Sequence, residues 1–119
     1  MRFPKTHKLV NKADYTLTLN QPYKISHKHL LILFKPNQIT NARLGLMVGK
    51  RVAAQAVDRN RIKRVIRESF RAKQAELKSL DIVVIARREC DTLSKVELRK
   101  GLDKLWERLI TQYRNLLSN

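Results

Sequence analysis

Residues 59–71 read RNRIKRVIRESFR, six Lys/Arg against one Glu, and this stretch limits the possible folds more than any other. At about 100° per residue, Ile62, Val65, Ile66 and Phe70 fall on one side of a helix. Asn60, Lys63, Arg64, Arg67 and Arg71 fall on another, at spacings i, i+3, i+4, i+7 and i+11. The apolar side needs a cover, so the helix must lie on a sheet and turn its charge to solvent. Arg61 and Glu68 lie between the stripes, where Glu68 can reach Arg64 four residues back.

Stability alone does not favour this arrangement. Like charges at i,i+3 and i,i+4 cost a few tenths of a kcal/mol per pair. Arg59 and Arg61 sit in the first turn, facing the positive end of the helix dipole at about 0.3–1 kcal/mol each. A phosphate at that turn reverses the sign, because free N–H groups and the dipole both attract anions. An ordinary solvated face would mix Glu with Lys. The stripe therefore reads as a phosphate-binding surface. Asn60 is the uncharged polar member, suited to a base edge or sugar, or simply to starting the helix.

The rest of the chain supplies the sheet. HLLILFK (29–35), closed by Pro36-Asn37, is a strand, and QPYKIS (21–26) is a turn with a short extended piece. In RLGLMVGKR (43–51), Leu44, Leu46 and Val48 alternate with Gly45, Met47 and Gly49, so one face is aliphatic and the other nearly bare. Gly45 there marks either a close backbone approach or plain packing. The basic helix spans 57–76, and DIVVIAR (81–87) is a buried strand. Ser94 and Glu97 form a capping box for a last helix. Its apolar stripe is Leu98, Leu102, Leu105, Trp106, Leu109, Tyr113, Leu116 and Leu117, with Trp106 in the core. A short helix is expected from Lys12 to Leu19, with Asn11 as its N-cap. The reading is a single α+β domain over 1–119: helix, three strands, helix, strand, helix.

Composition narrows the partner. The net charge is +16, with nine basic and two acidic residues in 50–73 but nine and seven in 74–119. A polyanion is implied. A membrane surface would need bulky apolar residues exposed beside the basic face, and the sheet claims them. Recognition-helix pairs and zinc-finger spacings for reading DNA are missing. Structured RNA with a single-stranded part fits, with Tyr15 and Tyr23 either stacking on bases or buried. The amino end lacks a signal-peptide pattern and Cys90 is a lone loop thiol, so a cytoplasmic protein is expected. Protein nuclease chemistry would want clustered carboxylates, yet Asp58 and Glu68 lie about 15 Å apart along the helix. His7, His27 and His29 offer no base paired with a nucleophile, and His27-x-His29 alone is weak metal evidence.

The sixteen residues Ala56–Arg71, AVDRNRIKRVIRESFR, closely resemble the signature of the bacterial ribonuclease P protein subunit family. RLGLMVGKR upstream and DIVVIAR downstream are similar to the strands that flank it. The resemblance implies an αβββαβα sandwich with a left-handed βαβ crossover. It implies a catalytic RNA that uses Mg²⁺ to cleave precursor tRNA, with a protein that anchors to that RNA and holds the 5′ leader. It involves no protein metal site, no obligate protein partner and no membrane. By the same resemblance, Arg59, Asn60, Arg61, Lys63, Arg64 and Arg67 would face the RNA, with Arg71 continuing the stripe. Lys50 and Arg51 would charge the edge of a leader cleft walled by Tyr15, Leu19 and Leu33. Leu19 and Leu33 stand where many members have aromatics, so an apolar wall is expected there rather than base stacking. The rival reading is a structural RNA-binding protein of ribosomal type, with no role in cleavage.

Overall fold

The computed structural model describes residues 22–37 and 39–118; the expected first helix, with Asn11, Tyr15 and Leu19, and also His7, lie outside them. Four strands form one sheet in the order β1-β2-β4-β3, with β1 Tyr23–Ser26, β2 Leu30–Pro36, β3 Arg43–Met47 and β4 Leu80–Ala86. Helix α1 is Ala56–Lys73 and helix α2 is Lys95–Leu117. Strand β2 pairs antiparallel with both β1 and β4, whereas β3 and β4 are parallel and joined through α1.

The strand pattern explains the two faces. Leu30, Ile32 and Phe34 of β2, Leu44 of β3 and Ile82, Val84 and Ala86 of β4 join one core. From the helices, Ile62, Val65, Ile66 and Phe70 of α1 and Leu98, Leu102, Leu105, Trp106 and Leu109 of α2 close on it. Both helices thus cover the same face. The alternate residues Leu33 and Val83, with Leu31 and Ile85 partly buried beside them, form a second apolar cluster on the opposite face. β4 lies between β2 and β3, so its side chains are buried on both faces, and this is why its sequence is a continuous apolar run.

The helices are locked to each other by a specific polar contact. Trp106 Nε1–H donates to Ser69 Oγ at 2.7 Å, Ser69 Oγ donates to Asp103 Oδ1 at 3.3 Å, and the Trp106 ring meets Phe70 edge-on at 6.1 Å. Trp106 is therefore core, as its position in the stripe indicated. The stripe differs from expectation at its end. Ile110 is buried, but Leu117 is 68% exposed, while Leu116 beside it still packs against the core. The basic helix is shorter than expected: α1 gives way to a 3-10 turn at Gln74–Leu77. β3 likewise ends at Met47, so Lys50 and Arg51 lie in a turn.

Asp81 starts the β4 run as a buried acid, and three donors satisfy it. Arg43 donates through Nε to Oδ1 at 2.8 Å and through Nη2 to Oδ2 at 2.7 Å, and Asn37 Nδ2 donates to Oδ1 at 2.7 Å. The fork fixes the turn between β2 and β3 against β4. No helix among the described residues is long and apolar enough to cross a membrane.

Candidate nucleic-acid interface

The register of α1 decides which cations can meet a ligand. With Ile62, Val65, Ile66 and Phe70 turned into the core, Asn60, Arg64 and Arg67 are exposed and Lys63 and Arg71 half-buried. Among the described residues, the side chains of Asn60, Lys63, Arg64 and Arg67 have no hydrogen-bond or ion-pair partner. Four consecutive stripe positions therefore present donors and charge outward, on the solvent side of the helical layer.

Because α1 starts at Ala56, Arg59 closes its first turn and Arg61 falls in the second, and both behave differently from the stripe. Arg59 folds back, and its Nη1 donates to the carbonyls of Ala53 and Ala54, both at 2.9 Å. Arg61 reaches across to the loop before α2, where Nη1 donates to Leu93 O at 3.3 Å and Nη2 to Asp91 O at 3.0 Å. Each guanidinium therefore meets carbonyl oxygens, which offsets part of the cost of a cation at a helix start. Asp58, also in the first turn, adds a favourable charge. Glu68 does not pair with Arg64; it lies 4.0 Å from Lys95 at the start of α2. The acid is thereby taken up by the neighbouring helix, and Lys63, Arg64 and Arg67 stay unneutralised among the described residues.

Lys50 and Arg51 are exposed in the turn that follows β3, where the N–H groups of Val52 and Ala53 both donate to Gly49 O, at 3.1 and 3.2 Å. Arg59 grips the same loop two residues further on, so it also shapes this turn. Because β3 is an edge strand, the turn lies at the sheet margin, between the helical layer and the opposite face.

Leu33 is on that opposite face, in register with Val83, and only 6% exposed. The α1 stripe and Leu33 are therefore on different sides of the molecule. Tyr23 is 40% exposed and tilted against Phe34 at 5.4 Å, on the helix-covered side. Among the described residues no three His, Cys, Asp or Glu side chains gather in a group that could hold a metal. Cys90 is fully buried, and burial first, then Asp91, pushes its thiol up to about 11.

Sequence reading missed the carbonyl partners of Arg59 and Arg61, since each depends on loops placed by the fold. It also missed a second group of cations around the β1–β2 turn. Arg87 Nη1 donates to Ser26 Oγ and His27 O, both at 3.0 Å, and Arg108 Nη1 donates to Ser26 O at 3.1 Å.

Comparison with known proteins agrees with this geometry. The Ribonuclease P family profile matches residues 3–110. The ribonuclease P protein component of Saccharophagus degradans is 44% identical over 115 residues, covering 96% of this chain and 85% of the relative. That of Photobacterium profundum is 42% identical over 109 residues, covering 92% of each. Among solved structures, the ribonuclease P protein of Staphylococcus aureus superposes with a TM-score of 0.81 at 26% identity, over 87% of this chain and 94% of that one. The ribonuclease P protein of Thermotoga maritima gives 0.75 at 28% identity, over 85% and 96%.

Proposed function

Because the chain belongs to the ribonuclease P protein family, we propose that it acts as the RNA-anchoring subunit of a tRNA-processing ribonuclease. It binds a folded catalytic RNA through α1 and helps hold the 5′ leader of precursor tRNA. The observation that carries this reading is the run Asn60, Lys63, Arg64 and Arg67, partnerless among the described residues and displayed on one outward stripe. Three cations within about one turn, from Lys63 to Arg67, match a phosphate backbone, which gains counterion release at each contact. Arg59 and Arg61 hold the loops at either side of the α1 start while adding charge there. Lys50 and Arg51, at the sheet margin, lie where one RNA strand could pass from the helical layer to the opposite face. Leu33 and its apolar neighbours would wall the leader on that face.

In this reading the RNA and its Mg²⁺ ions perform the hydrolysis. The protein contributes fixed positive charge and hydrogen-bond donors, which lower the Mg²⁺ needed to hold the RNA in its active form. Cleavage of a precursor tRNA by transcribed ribonuclease P RNA at limiting Mg²⁺, with and without the protein, tests it. Stimulation by wild type and not by the Lys63→Gln/Arg64→Gln/Arg67→Gln variant is expected. RNA binding without any stimulation would select the structural RNA-binding alternative instead.

A further inference from the structure

Helix α2 has two flanks, and only one of them faces α1. Arg99, Asp103 and Trp106 lie on the α1 side, where Asp103 and Trp106 meet Ser69. Gly101, Lys104 and Arg108 fall about 180° away at 100° per residue. On that far flank the His27 ring rests against Gly101, where an added Cβ would be 3.6 Å from Cε1 and 3.7 Å from Nε2.

Three separate elements bring cations to this point. Arg87 follows β4 and Lys104 and Arg108 come from α2, and all three act on His27; Lys28 is its exposed chain neighbour in the β1–β2 turn. Arg87 is pinned through Nη1 to Ser26 Oγ and His27 O, and Arg108 through Nη1 to Ser26 O, so both guanidiniums meet at Ser26. Their remaining N–H donors stay available as preset forks. None of the four cations is in an ion pair among the described residues. Glu97 faces His29 and is occupied by the capping box with Ser94. A recess of about 610 Å³ opens alongside, lined by Lys104, Glu107, Arg108, Thr111, Gln112 and Asn115.

His27 adds a donor of a different kind. Its Nδ1 accepts the N–H of His29 at 3.1 Å, so the neutral ring carries its proton on Nε2. Burial first, then His29, Arg108, Lys104 and Arg87, keep the ring below its ordinary 6.5 and therefore neutral. A crowd of like charge with a neutral N–H donor in its midst is unfavourable in the free protein and favourable once an anion enters.

We propose that the β1–β2 turn and the far flank of α2, through His27, Lys28, Arg87, Lys104 and Arg108, form a second RNA-phosphate contact, separate from the α1 stripe. Its occupant is sugar–phosphate backbone. Because α2 stands between the two surfaces, they grip different RNA segments, and the protein acts as a brace between them. This rests on the reading that RNA is the partner, so the test includes a probe that does not need that reading.

Inorganic pyrophosphate is titrated into the full chain while the ring resonances of His27 are followed by NMR. The resonances are expected to shift in wild type and equally in the Lys63→Gln/Arg64→Gln/Arg67→Gln variant, and to stay fixed in Lys28→Gln/Lys104→Gln. Resonances unmoved by pyrophosphate in wild type would overturn the site. The second arm is the salt dependence of binding to transcribed ribonuclease P RNA. Lys28→Gln/Lys104→Gln should flatten the slope by about 1.4–1.8, at ~0.7–0.9 per phosphate contact. An unchanged slope, with the α1 variant still defective in cleavage, would remove the second contact and leave the proposed function standing. Both substituted lysines are exposed and make no side-chain hydrogen bond among the described residues, so the fold should tolerate their loss.

Discussion

The two long helices share one layer and one core, yet they begin in opposite ways. α2 opens on Ser94, whose Oγ accepts from Glu97 N–H at 3.1 Å while the Glu97 carboxylate accepts from Ser94 N–H at 3.0 Å. α1 opens on Gln55 with no side-chain cap, and two arginines follow within its first turns. α2 satisfies its own end groups locally. α1 anchors Arg59 and Arg61 on backbone carbonyls of nearby loops and keeps Asn60, Lys63, Arg64 and Arg67 unpaired among the described residues. Stability has been set aside at one helix start and not at the other. A helix start that serves the core alone can be capped and charge-balanced, while one proposed to meet a polyanion keeps local frustration.

Substitutions in the two helices put this contrast at risk, and their effects on stability fall in a clear order. Trp106→Ala removes the ring on Phe70 and the donor to Ser69 that tie both helices together. It should cost about 3–5 kcal/mol in denaturant unfolding. A loss below about 1 kcal/mol would mean that the helices are held independently.

Ser94→Ala comes next, at about 1 kcal/mol, whereas Gln55→Ala should change stability by only a few tenths. Equal effects would erase the difference in capping. An acid titration adds to this pair. The Ser94 backbone N–H first, and then its side chain, hold Glu97 below its ordinary 4.5. A depressed carboxyl contributes stability above that value and loses it as pH falls through the folded one. Wild type should therefore lose stability on acidification below about 4.5 more steeply than Ser94→Ala.

Even α2 is not optimised throughout. A Cβ at Gly101 would make only ordinary contact with His27, so Gly101→Ala should raise stability by about 0.5–1 kcal/mol through helix propensity. A loss instead would show that the His27 ring needs that space. The smallest change in stability belongs to Lys63→Gln/Arg64→Gln/Arg67→Gln, a gain of a few tenths of a kcal/mol from relieved repulsion. Its large effect is on binding, where the salt slope for ribonuclease P RNA should flatten by about 2.1–2.7. An unchanged slope would remove the stripe from the interface.

The fold was legible wherever a signal was local and periodic. Ile62, Val65, Ile66 and Phe70 are buried as their 3.6-residue spacing required. The alternation of Leu44 with Gly45 sorts those residues to opposite sheet faces, and the Ser94–Glu97 box is present in full. Boundaries were less legible: β3 stops at Met47 and α1 at Lys73, because strand and helix ends depend on where pairing partners end. Leu117 was misplaced as well: in the last turn of α2 it is Leu116 that packs against the core, and Leu117 is exposed.

The candidate site divides in the same way. That the charge of α1 lies opposite its apolar face was settled by the order of residues, because both stripes come from one helical period. Which of those cations are available was settled only by packing. Glu68 meets Lys95 and not Arg64; Arg61 meets carbonyls some 30 residues away, and Arg108 reaches Ser26 across 82 positions. Ion pairs and hydrogen bonds of this kind require two elements to be packed before either side chain has a partner. A helical period is set by backbone geometry and can be read in the chain; a partner is set by the fold that brings it near.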